Sequence, residues 1–297
     1  MSIFIDETTT VLVQGIGAQG TFHARRNRDY GTNVVAGIHP KKGGTTWDEV
    51  GVPVFSTVRE AVDDTGANTS LVMVPAPFTK DAILEAHEAG IETIIAITEG
   101  VPVHDMTEVY DTVVRRGGAR LIGPNCPGLI SPGKANVGII PAETTFAGNV
   151  GLVSRSGTLT YQLMHELAQA GIGISTCVGI GGDPVIGTQF LDVIQAFAAD
   201  PDTHAISFVG EIGGSEEQLA GEWIRDNIPD TPVVGYIAGF EAPEGKQMGH
   251  AGAIVQEGGP GGESAAEKKE ILEGFGISVA MNPSEAARLM IERLGRA

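Results

Sequence analysis

Residues 14–20, QGIGAQG, combine a glycine-rich turn with a strand pattern before it and a helix pattern after it. The apolar run TVLV precedes the turn, and TFHARRNRDYG follows it. Gly15, Gly17 and Gly20 have the GxGxxG spacing, in which glycines allow a tight turn, close approach of the backbone to a pyrophosphate, and packing of helix on strand. The segment predicts the first strand–turn–helix unit of a parallel sheet, although such turns also occur in α/β domains that bind nothing there.

The loop after the second predicted strand narrows the choice of ligand. An NAD-binding domain usually offers an Asp or Glu to the ribose there, about 20 residues after the glycines. Here the strand at 33–38 runs into His39, Pro40, Lys41 and Lys42, so no carboxylate is present. The lysines favour a ribose that carries a phosphate, as in NADP or the 3'-phosphorylated ADP of coenzyme A, but lysines in such a loop can also simply be solvated.

Length, charge and cysteine content exclude several classes of protein. The 297 residues are enough for two domains, and 37 acidic against 19 basic residues give a net charge of -18, which disfavours nucleic acid and anionic membranes as partners. No apolar run has membrane-spanning length and MSIFIDETTT does not resemble a signal peptide, so we expect a cytoplasmic location. Cys126 and Cys177 lack metal-ligand spacing, which predicts neither a disulfide framework nor a zinc site.

Apolar β-rich runs alternate with amphipathic helical stretches along the whole chain. This alternation predicts two successive α/β domains, each a doubly wound parallel sheet, at residues 1–145 and 146–297. The strands expected in the first domain are 10–14, 33–38, 70–74, 93–97 and 120–122, and the helices are 19–30, 57–64, 80–89 and 106–116. In the second domain we expect strands in VGLVS, ISTCVGI, AISFVG, PVVGYIAG and GISVAM. The Pro- and Gly-rich passage 123–149 has no clear periodicity and is interpreted as a linker.

The SRSGT loop at 154–158 is a candidate anion site, because it lies between a predicted strand and a helix. Ligands of open parallel sheets bind beyond the carboxyl ends of the strands. The backbone N–H groups of Ser156, Gly157 and Thr158 could bind an anion with help from the helix dipole. Ordinary capping of the helix by a serine or threonine explains the same residues equally well.

The GKQMGHAGAIV segment contains His250 between small residues, which we expect to leave its imidazole uncovered. A single histidine is more often structural or solvated than catalytic. A neutral imidazole is nevertheless a competent phosphorus nucleophile when one ring nitrogen is fixed by a hydrogen bond. Glu211 in GEIGG follows a predicted strand among glycines, so we expect an exposed carboxylate that is suited to orient the ring.

Together these motifs resemble the α subunits of succinyl-CoA synthetase (succinate–CoA ligase). The resemblance rests on QGIGAQGTFH, GPNCPG, SRSGTLTYQ, TCVGIGGDP, GEIGG and GKQMGHAGAI, which occur in the family's order and span essentially the whole chain. It implies a Rossmann-like CoA-binding domain followed by a flavodoxin-like ligase domain. It also implies the reversible, nucleotide-coupled ligation of succinate and coenzyme A through a phosphohistidine, a reaction of the tricarboxylic acid cycle.

The resemblance also implies roles for individual residues. His250 would be the phosphorylated histidine, and Glu211 the carboxylate that holds it. The residues that would bind coenzyme A are Ile16, Gly17, Ala18, Gln19, Lys42, Ile97, Thr98, Glu99, Asn125 and Cys126. The residues that would contact the carboxylic acid or phosphate are Tyr161, Ser154, Ser156, Gly157 and Thr158.

A β subunit is the partner that the resemblance implies, in an αβ or α2β2 assembly. The chain has no GxxxxGK[ST] motif and no evident carboxylate cluster for a metal, so ATP or GTP with Mg2+ would be bound mainly by that subunit. Succinate and phosphate would be the other ligands, with no metal site in this chain.

Two departures from the family pattern and several alternatives remain. Ile16 stands where the family commonly has a threonine, so only backbone contacts are transferred there, and the continuation QEGGPGGESAAEKK after His250 is longer and more acidic than usual. The alternatives are a nucleoside-diphosphate-forming CoA ligase for malate or acetate, an NADP-dependent oxidoreductase, and a non-catalytic coenzyme-binding regulator. The last two offer no role for His250.

Overall fold

The protein folds into two compact units, as a computed structural model shows. The structure describes residues 2–243, 245–255 and 262–295. The first unit comprises residues 4–142 and 185–188, and the second comprises the described parts of 1–3, 143–184 and 189–297. A 3-10 turn, Ala142–Thr144, lies where the chain passes from one unit to the other. Within the described residues, no helix is long and apolar enough to cross a membrane.

The first unit contains a parallel sheet with strand order β3-β4-β2-β1-β5-β6-β7, in which only the short edge strand β3 is antiparallel to its neighbour. The strands are β1 Thr10–Gln14, β2 Asn33–Ile38, β3 Thr46–Trp47, β4 Val52–Phe55, β5 Thr69–Val72, β6 Thr93–Ala96 and β7 Arg120–Ile122. The helices are α1 Ala18–Tyr30, α2 Val58–Thr65, α3 Ala76–Glu88 and α4 Val103–Val109, the last continued by a π-helical turn, Tyr110–Arg115. The expected strands and helices are present, while β3 and β4 were not predicted.

The glycine turn between β1 and α1 explains why this unit begins as the sequence predicts. Gly15 has a φ of +106°, and a Cβ there would overlap the backbone of Met73. A Cβ at Gly20 would collide with the carbonyl of Gly15. Both positions therefore require glycine, so that α1 can start close against the sheet.

The passage interpreted as a linker is instead folded, and the interpretation is wrong. Its residues form an antiparallel hairpin of two buried strands, β8 Gly128–Ser131 and β9 Ala135–Gly138. The Thr32 hydroxyl donates to the carbonyl oxygen of Asn136 at 2.9 Å and accepts from its N–H at 2.9 Å, which ties the hairpin to the residues after α1. Because every residue of both strands is buried, the sequence shows no alternation of polar and apolar positions.

The second unit contains five parallel strands in the order β14-β13-β12-β10-β11. They are β10 Ala147–Ser154, β11 Ile174–Gly179, β12 Ala205–Glu211, β13 Val233–Ala238 and β14 Ser278–Ala280. The helices are α5 Gly157–Gln169, α6 Phe190–Ala199, α7 Glu216–Asn227, α8 Ala265–Gly274 and α9 Pro283–Arg293. The expectation of doubly wound α/β architecture is confirmed.

The strand order of the second unit creates a crevice at its carboxyl edge. The connection β10 to β11 and the connection β12 to β13 run in opposite directions along the sheet, although β10 and β12 are neighbours. Right-handed crossovers then place α5 and α7 on opposite faces of the sheet. The loops that follow β10 and β12 diverge at this switch point, where open sheets bind ligands.

Candidate functional site

The SRSGT loop leaves β10 and caps α5 in the second unit. The Ser156 hydroxyl accepts from the N–H of Leu159 at 3.4 Å, which makes Ser156 the N-cap of the helix. The fully buried Ser154 hydroxyl donates to the Ser156 carbonyl at 2.9 Å and accepts from its N–H at 3.2 Å, so Ser154 supports the loop from within. The N–H groups of Gly157 and Thr158 belong to the first helical turn, which has no carbonyl partners inside the helix.

His250 and Glu211 form a hydrogen-bonded pair in the same unit. Nδ1 of His250 lies 2.6 Å from Oε2 of Glu211. A carboxylate can only accept, so Nδ1 carries the proton, and Nε2 holds the lone pair whenever the ring is neutral. A distance this short is typical of charge-assisted hydrogen bonds.

Both side chains are more enclosed than the sequence indicates. The Glu211 side chain is 9% exposed, so the expectation of an exposed carboxylate is wrong, and the His250 side chain is 21% exposed. The sequence missed Gly182, in the loop after β11. A Cβ at Gly182 would overlap the imidazole of His250, so glycine is the residue that lets the ring lie against this loop.

Arg155 is a second residue that sequence reasoning missed. Its Nε lies 3.4 Å from Oε1 of Glu211, and its terminal nitrogen donates to Oε2 of Glu216 at 3.0 Å. The guanidinium thereby joins the SRSGT loop to the carboxylate that holds His250. The sequence indicated an anion site because of the serines on either side of Arg155. An arginine in a loop is usually a solvated surface charge, so nothing in the sequence distinguished this one.

The charges around His250 act on its protonation in opposite directions. The hydrogen bond to Glu211 raises the pKa of the imidazole, while burial lowers it. The charge of Glu211 and that of Asp183 also raise this pKa, and the charge of Arg155 lowers it. The net effect is a pKa above the ordinary value for histidine. The pKa of the Glu216 carboxyl is also raised, because burial disfavours its charged form, while the charge of Arg155 acts to lower it.

A cavity of about 500 Å³ opens beside the pair. His250, Glu211, Ser156 and Thr158 share its lining, which brings the predicted catalytic residues next to the predicted phosphate loop. The lining also includes the large side chains of Tyr236, Phe240, Met248 and Met281. Tyr161 is not among the described residues that line the cavity, and it lies half-buried on α5.

The residues proposed for coenzyme A lie in the first unit, on loops at the carboxyl edge of its sheet. Gly17, Ala18 and Gln19 are exposed at the start of α1, and Lys42 is exposed after β2. Ile16 is buried, with its side chain against Gly37, so this position offers a ligand its backbone only. The absence of a threonine side chain there leaves the turn itself intact.

The loops after β6 and β7 lie side by side through backbone contacts. The Asn125 N–H donates to the Thr98 carbonyl at 2.9 Å, and the Thr98 hydroxyl donates to the Val74 carbonyl at 2.6 Å. The buried Cys126 thiol donates to the Ala96 carbonyl at 3.2 Å. Of the remaining two residues of this set, Ile97 is half-buried and Glu99 is exposed.

Two other expectations concern metals and the segment after His250. Among the described residues, no group of three or more His, Cys, Asp or Glu side chains could hold a metal ion. The longer, more acidic segment expected after His250 begins at 256, and residues 256–261 of it lie outside the described part of the chain.

Comparisons with known proteins agree with this arrangement of two units. A CoA binding domain model matches residues 6–100, and a CoA-ligase model matches residues 153–273. The chain is 54% identical over 295 residues to the α subunit 2 of the ADP-forming succinate–CoA ligase of Archaeoglobus fulgidus, with 99% of this chain and 100% of the relative covered. The chain belongs to the succinate–CoA ligase α-subunit family. The resemblance inferred from the motifs is thus confirmed.

Two further relatives are similar over nearly their whole length. The α subunit of the ADP-forming succinate–CoA ligase of Aquifex aeolicus is 53% identical, over 96% of this chain and 92% of the relative. The malate–CoA ligase α subunit of Methylorubrum extorquens is 49% identical, over all of both chains. Among solved structures, Methanothrix soehngenii ATP citrate lyase in complex with citrate and coenzyme A has a TM-score of 0.85 at 23% identity, over 99% of this chain and 50% of that chain, which supports the fold.

Proposed function

We propose that this chain is the α subunit of a succinate–CoA ligase that works through a phosphohistidine at His250. The observation that carries the proposal is the 2.6 Å contact between Nδ1 of His250 and Glu211 beside a cavity that the N-terminus of α5 also lines. The contact fixes one ring nitrogen and leaves Nε2 with its lone pair. In this proposal residues 1–145 form the CoA-binding domain and residues 146–297 the ligase domain.

The first step is the attack of Nε2 on the terminal phosphorus of a nucleoside triphosphate. The Nε2–P bond forms as the bond to the diphosphate oxygen breaks, and the nucleoside diphosphate leaves with the electron pair. The imidazole becomes positively charged while Nδ1 keeps its proton, and the Glu211 carboxylate stabilises that charge. A covalent intermediate divides one difficult transfer into easier ones.

Two further transfers complete the ligation. A carboxylate oxygen of succinate attacks the phosphohistidine, which gives an acyl phosphate and returns the neutral ring. The thiol sulfur of coenzyme A then attacks the acyl carbon, the bond from that carbon to the phosphate oxygen breaks, and phosphate leaves with the thiol proton. Gly157 and Thr158, at the N-terminus of α5, would hold the phosphate through their N–H groups and the helix dipole, and Ser156, whose N–H donates to Ser154, would contact it through its hydroxyl. Ser154 would support that loop, and Tyr161, which lies on α5 outside the lining of the cavity, would contact a part of the acid that extends beyond it.

Coenzyme A would bind at the carboxyl edge of the first unit. The backbone of residues 16–19 would receive the pyrophosphate, and Lys42 would face the ribose phosphate. Residues 97–99 with Asn125 and Cys126 would contact the rest of the coenzyme. The glycines at 15 and 20, which the backbone requires, support this placement because they bring the start of α1 close to the turn.

The partner in this proposal is a β subunit, since the relatives are named α subunits. That subunit would bind ATP or GTP with Mg2+, in an αβ or α2β2 assembly in the cytoplasm. Malate is the alternative acid, because the malate–CoA ligase α subunit of Methylorubrum extorquens matches this chain over its full length.

Labelling with nucleotide tests the proposal. The chain, co-expressed with its β subunit, is incubated with nucleoside triphosphate labelled in the terminal phosphate and then treated with acid or base. Acid-labile, base-stable label at His250 is expected. Label that survives acid, or that maps to another residue, would contradict a phosphohistidine, and comparing succinate with malate in thioester synthesis decides the acid.

A further inference from the structure

The pair formed by Lys268 and Glu217 lies fully buried beneath Glu211. Lys268 is 0% exposed and Glu217 is 1% exposed, and Nζ of Lys268 contacts Oε2 of Glu217. Charged side chains are almost never this deeply buried unless they are paired. Neither residue takes part in the chemistry of the site described above.

This pair binds the backbone of Glu211, the last residue of β12, and of Gly213. Nζ of Lys268 donates to the carbonyl oxygen of Glu211 at 2.8 Å and to that of Gly213 at 2.7 Å. The other carboxylate oxygen of Glu217 accepts from the N–H of Glu211 at 3.1 Å. Both backbone polar groups of Glu211 are therefore held by one ion pair.

The backbone that follows Glu211 has a conformation at Gly213 that requires glycine. Gly213 has a φ of +85°, and a Cβ there would collide with the carbonyl of Gly252, two residues after His250. The Gly213 N–H donates to the Glu263 carbonyl at 2.8 Å. The residues that follow His250, those that follow Glu211 and those just before α8 thus meet at Gly213.

We propose that Lys268 and Glu217 are positioning residues that hold Glu211 where its carboxylate fixes Nδ1 of His250. The inference rests on the proposed function and deepens it. With the Glu211 backbone bound at both N–H and C=O, the carboxylate meets the ring at 2.6 Å. Without the ammonium, two buried carbonyl oxygens lose their donor and the loop shifts to find new partners. Displacement of an orienting group by about 1 Å is enough to slow a reaction roughly a hundredfold.

The test is a double variant, Lys268→Met with Glu217→Gln, studied together with the β subunit. Removing both charges leaves no buried charge unpaired, and glutamine keeps an acceptor for the Glu211 N–H. We expect phosphorylation of His250 by labelled nucleotide to slow roughly tenfold to hundredfold, with the KM for nucleotide little changed. In the chain alone, the low-field proton signal of Nδ1–H should weaken or move. Coenzyme A affinity should be unchanged, because its proposed residues lie in the other unit.

Lys269→Met is the matched control. Lys269 is the next residue on α8, where it pairs with Glu273 and donates to the Val279 carbonyl at 2.7 Å. Its loss should change neither the labelling rate nor the Nδ1–H signal. If Lys268 had a purely structural role, its replacement would lower the melting temperature but would leave the Nδ1–H signal and the labelling rate per folded molecule unchanged.

A variant that keeps the charge covers the case in which the double variant does not fold. Lys268→Arg retains a cation, but a planar guanidinium does not reproduce the contacts of a compact ammonium with two carbonyls. A folded Lys268→Arg or double variant with wild-type labelling and an unchanged proton signal would overturn the positioning role. Absence of label from the wild-type holoenzyme would instead overturn the proposed function.

Discussion

Replacing Arg155 by methionine removes the charge that joins the SRSGT loop to Glu211 but keeps most of the side chain's volume. The guanidinium is 10% exposed, 3.4 Å from Glu211 and 3.0 Å from Glu216. Methionine fills similar space without the charge, so the substitution leaves Glu211 and Glu216 without their shared cation. Glu211 keeps its contact with His250, and Glu216 is 36% exposed.

The expected loss of stability follows from this burial. Removing one partner of a buried ion pair costs about 3–5 kcal/mol, because the other charge is left desolvated. Glu216 can be solvated and Glu211 keeps its contact with His250. The loss in free energy of unfolding for Arg155→Met should therefore lie near the lower end of this range, at about 3 kcal/mol. Loss of the positive charge also removes a cause that lowers the pKa of His250. The acid limb of the phosphorylation profile should therefore move to higher pH.

Urea unfolding of the full chain at neutral pH measures the first effect, and labelling across a pH series measures the second. Arg225→Met is the matched control, since Arg225 pairs with Glu222 and Asp226 at the surface and should change neither quantity appreciably. A loss for Arg155→Met below about 1 kcal/mol, the range of exposed ion pairs, would refute the reasoning about its burial. An unmoved pH profile would refute its effect on His250.

Further outcomes are expected for ligand binding, salt and pH. Calorimetry of the isolated chain should detect binding of coenzyme A, and tight binding of NADP without heat from coenzyme A would contradict the assignment of residues 14–20 and Lys42. The melting temperature should rise from dilute buffer to molar KCl, because salt screens the self-repulsion of a net charge of -18; a fall would count against this. The labelling rate should decrease as pH falls through a His250 pKa above about 6.5, since protonation removes the attacking lone pair. Because this pKa is raised by Glu211, the stability that the pair contributes is fully present below the unfolded pKa and lost as pH rises through the folded one. Glu211→Gln should shift the labelling profile to lower pH, and an unchanged midpoint would show that Glu211 does not set it.

The order of strands and helices could be predicted from the sequence because most of the strands and helices carry their own local signal. The run before Gly15 is apolar and the glycine spacing marks the turn, so β1 and α1 were predicted within one residue of their bounds. The hairpin at 128–138 carries no such signal. The residues of its two strands are all buried, and the contact with Thr32 that stabilises it joins residues 104 positions apart.

The site was predictable only in part, because some of its residues carry a local sequence signal and others act only through contacts between distant positions. His250 and Glu211 stand out because each lies in a glycine-rich loop where a large polar residue is unusual. Arg155, Gly182 and Lys268 act through contacts that the fold creates, and Lys268 reaches the Glu211 carbonyl across 57 positions. Their burial reverses the usual interpretation of a loop arginine or a helix lysine as a solvated charge. The same packing encloses Glu211, which local composition indicated to be exposed.

The most direct test of the central claim is to measure whether the His250→Asn variant accepts the terminal phosphoryl group of the nucleotide. Asparagine keeps a polar side chain near Glu211 but has no ring nitrogen to attack phosphorus. With the β subunit and labelled nucleotide, rapid-quench experiments should show no label on this chain, and thioester synthesis should be abolished. Coenzyme A binding should persist, since its proposed residues lie in the first unit, and an unchanged melting temperature would show that the second unit of the variant is folded. Near-normal ligation by His250→Asn would contradict the phosphohistidine account and require direct attack of the acid on the nucleotide.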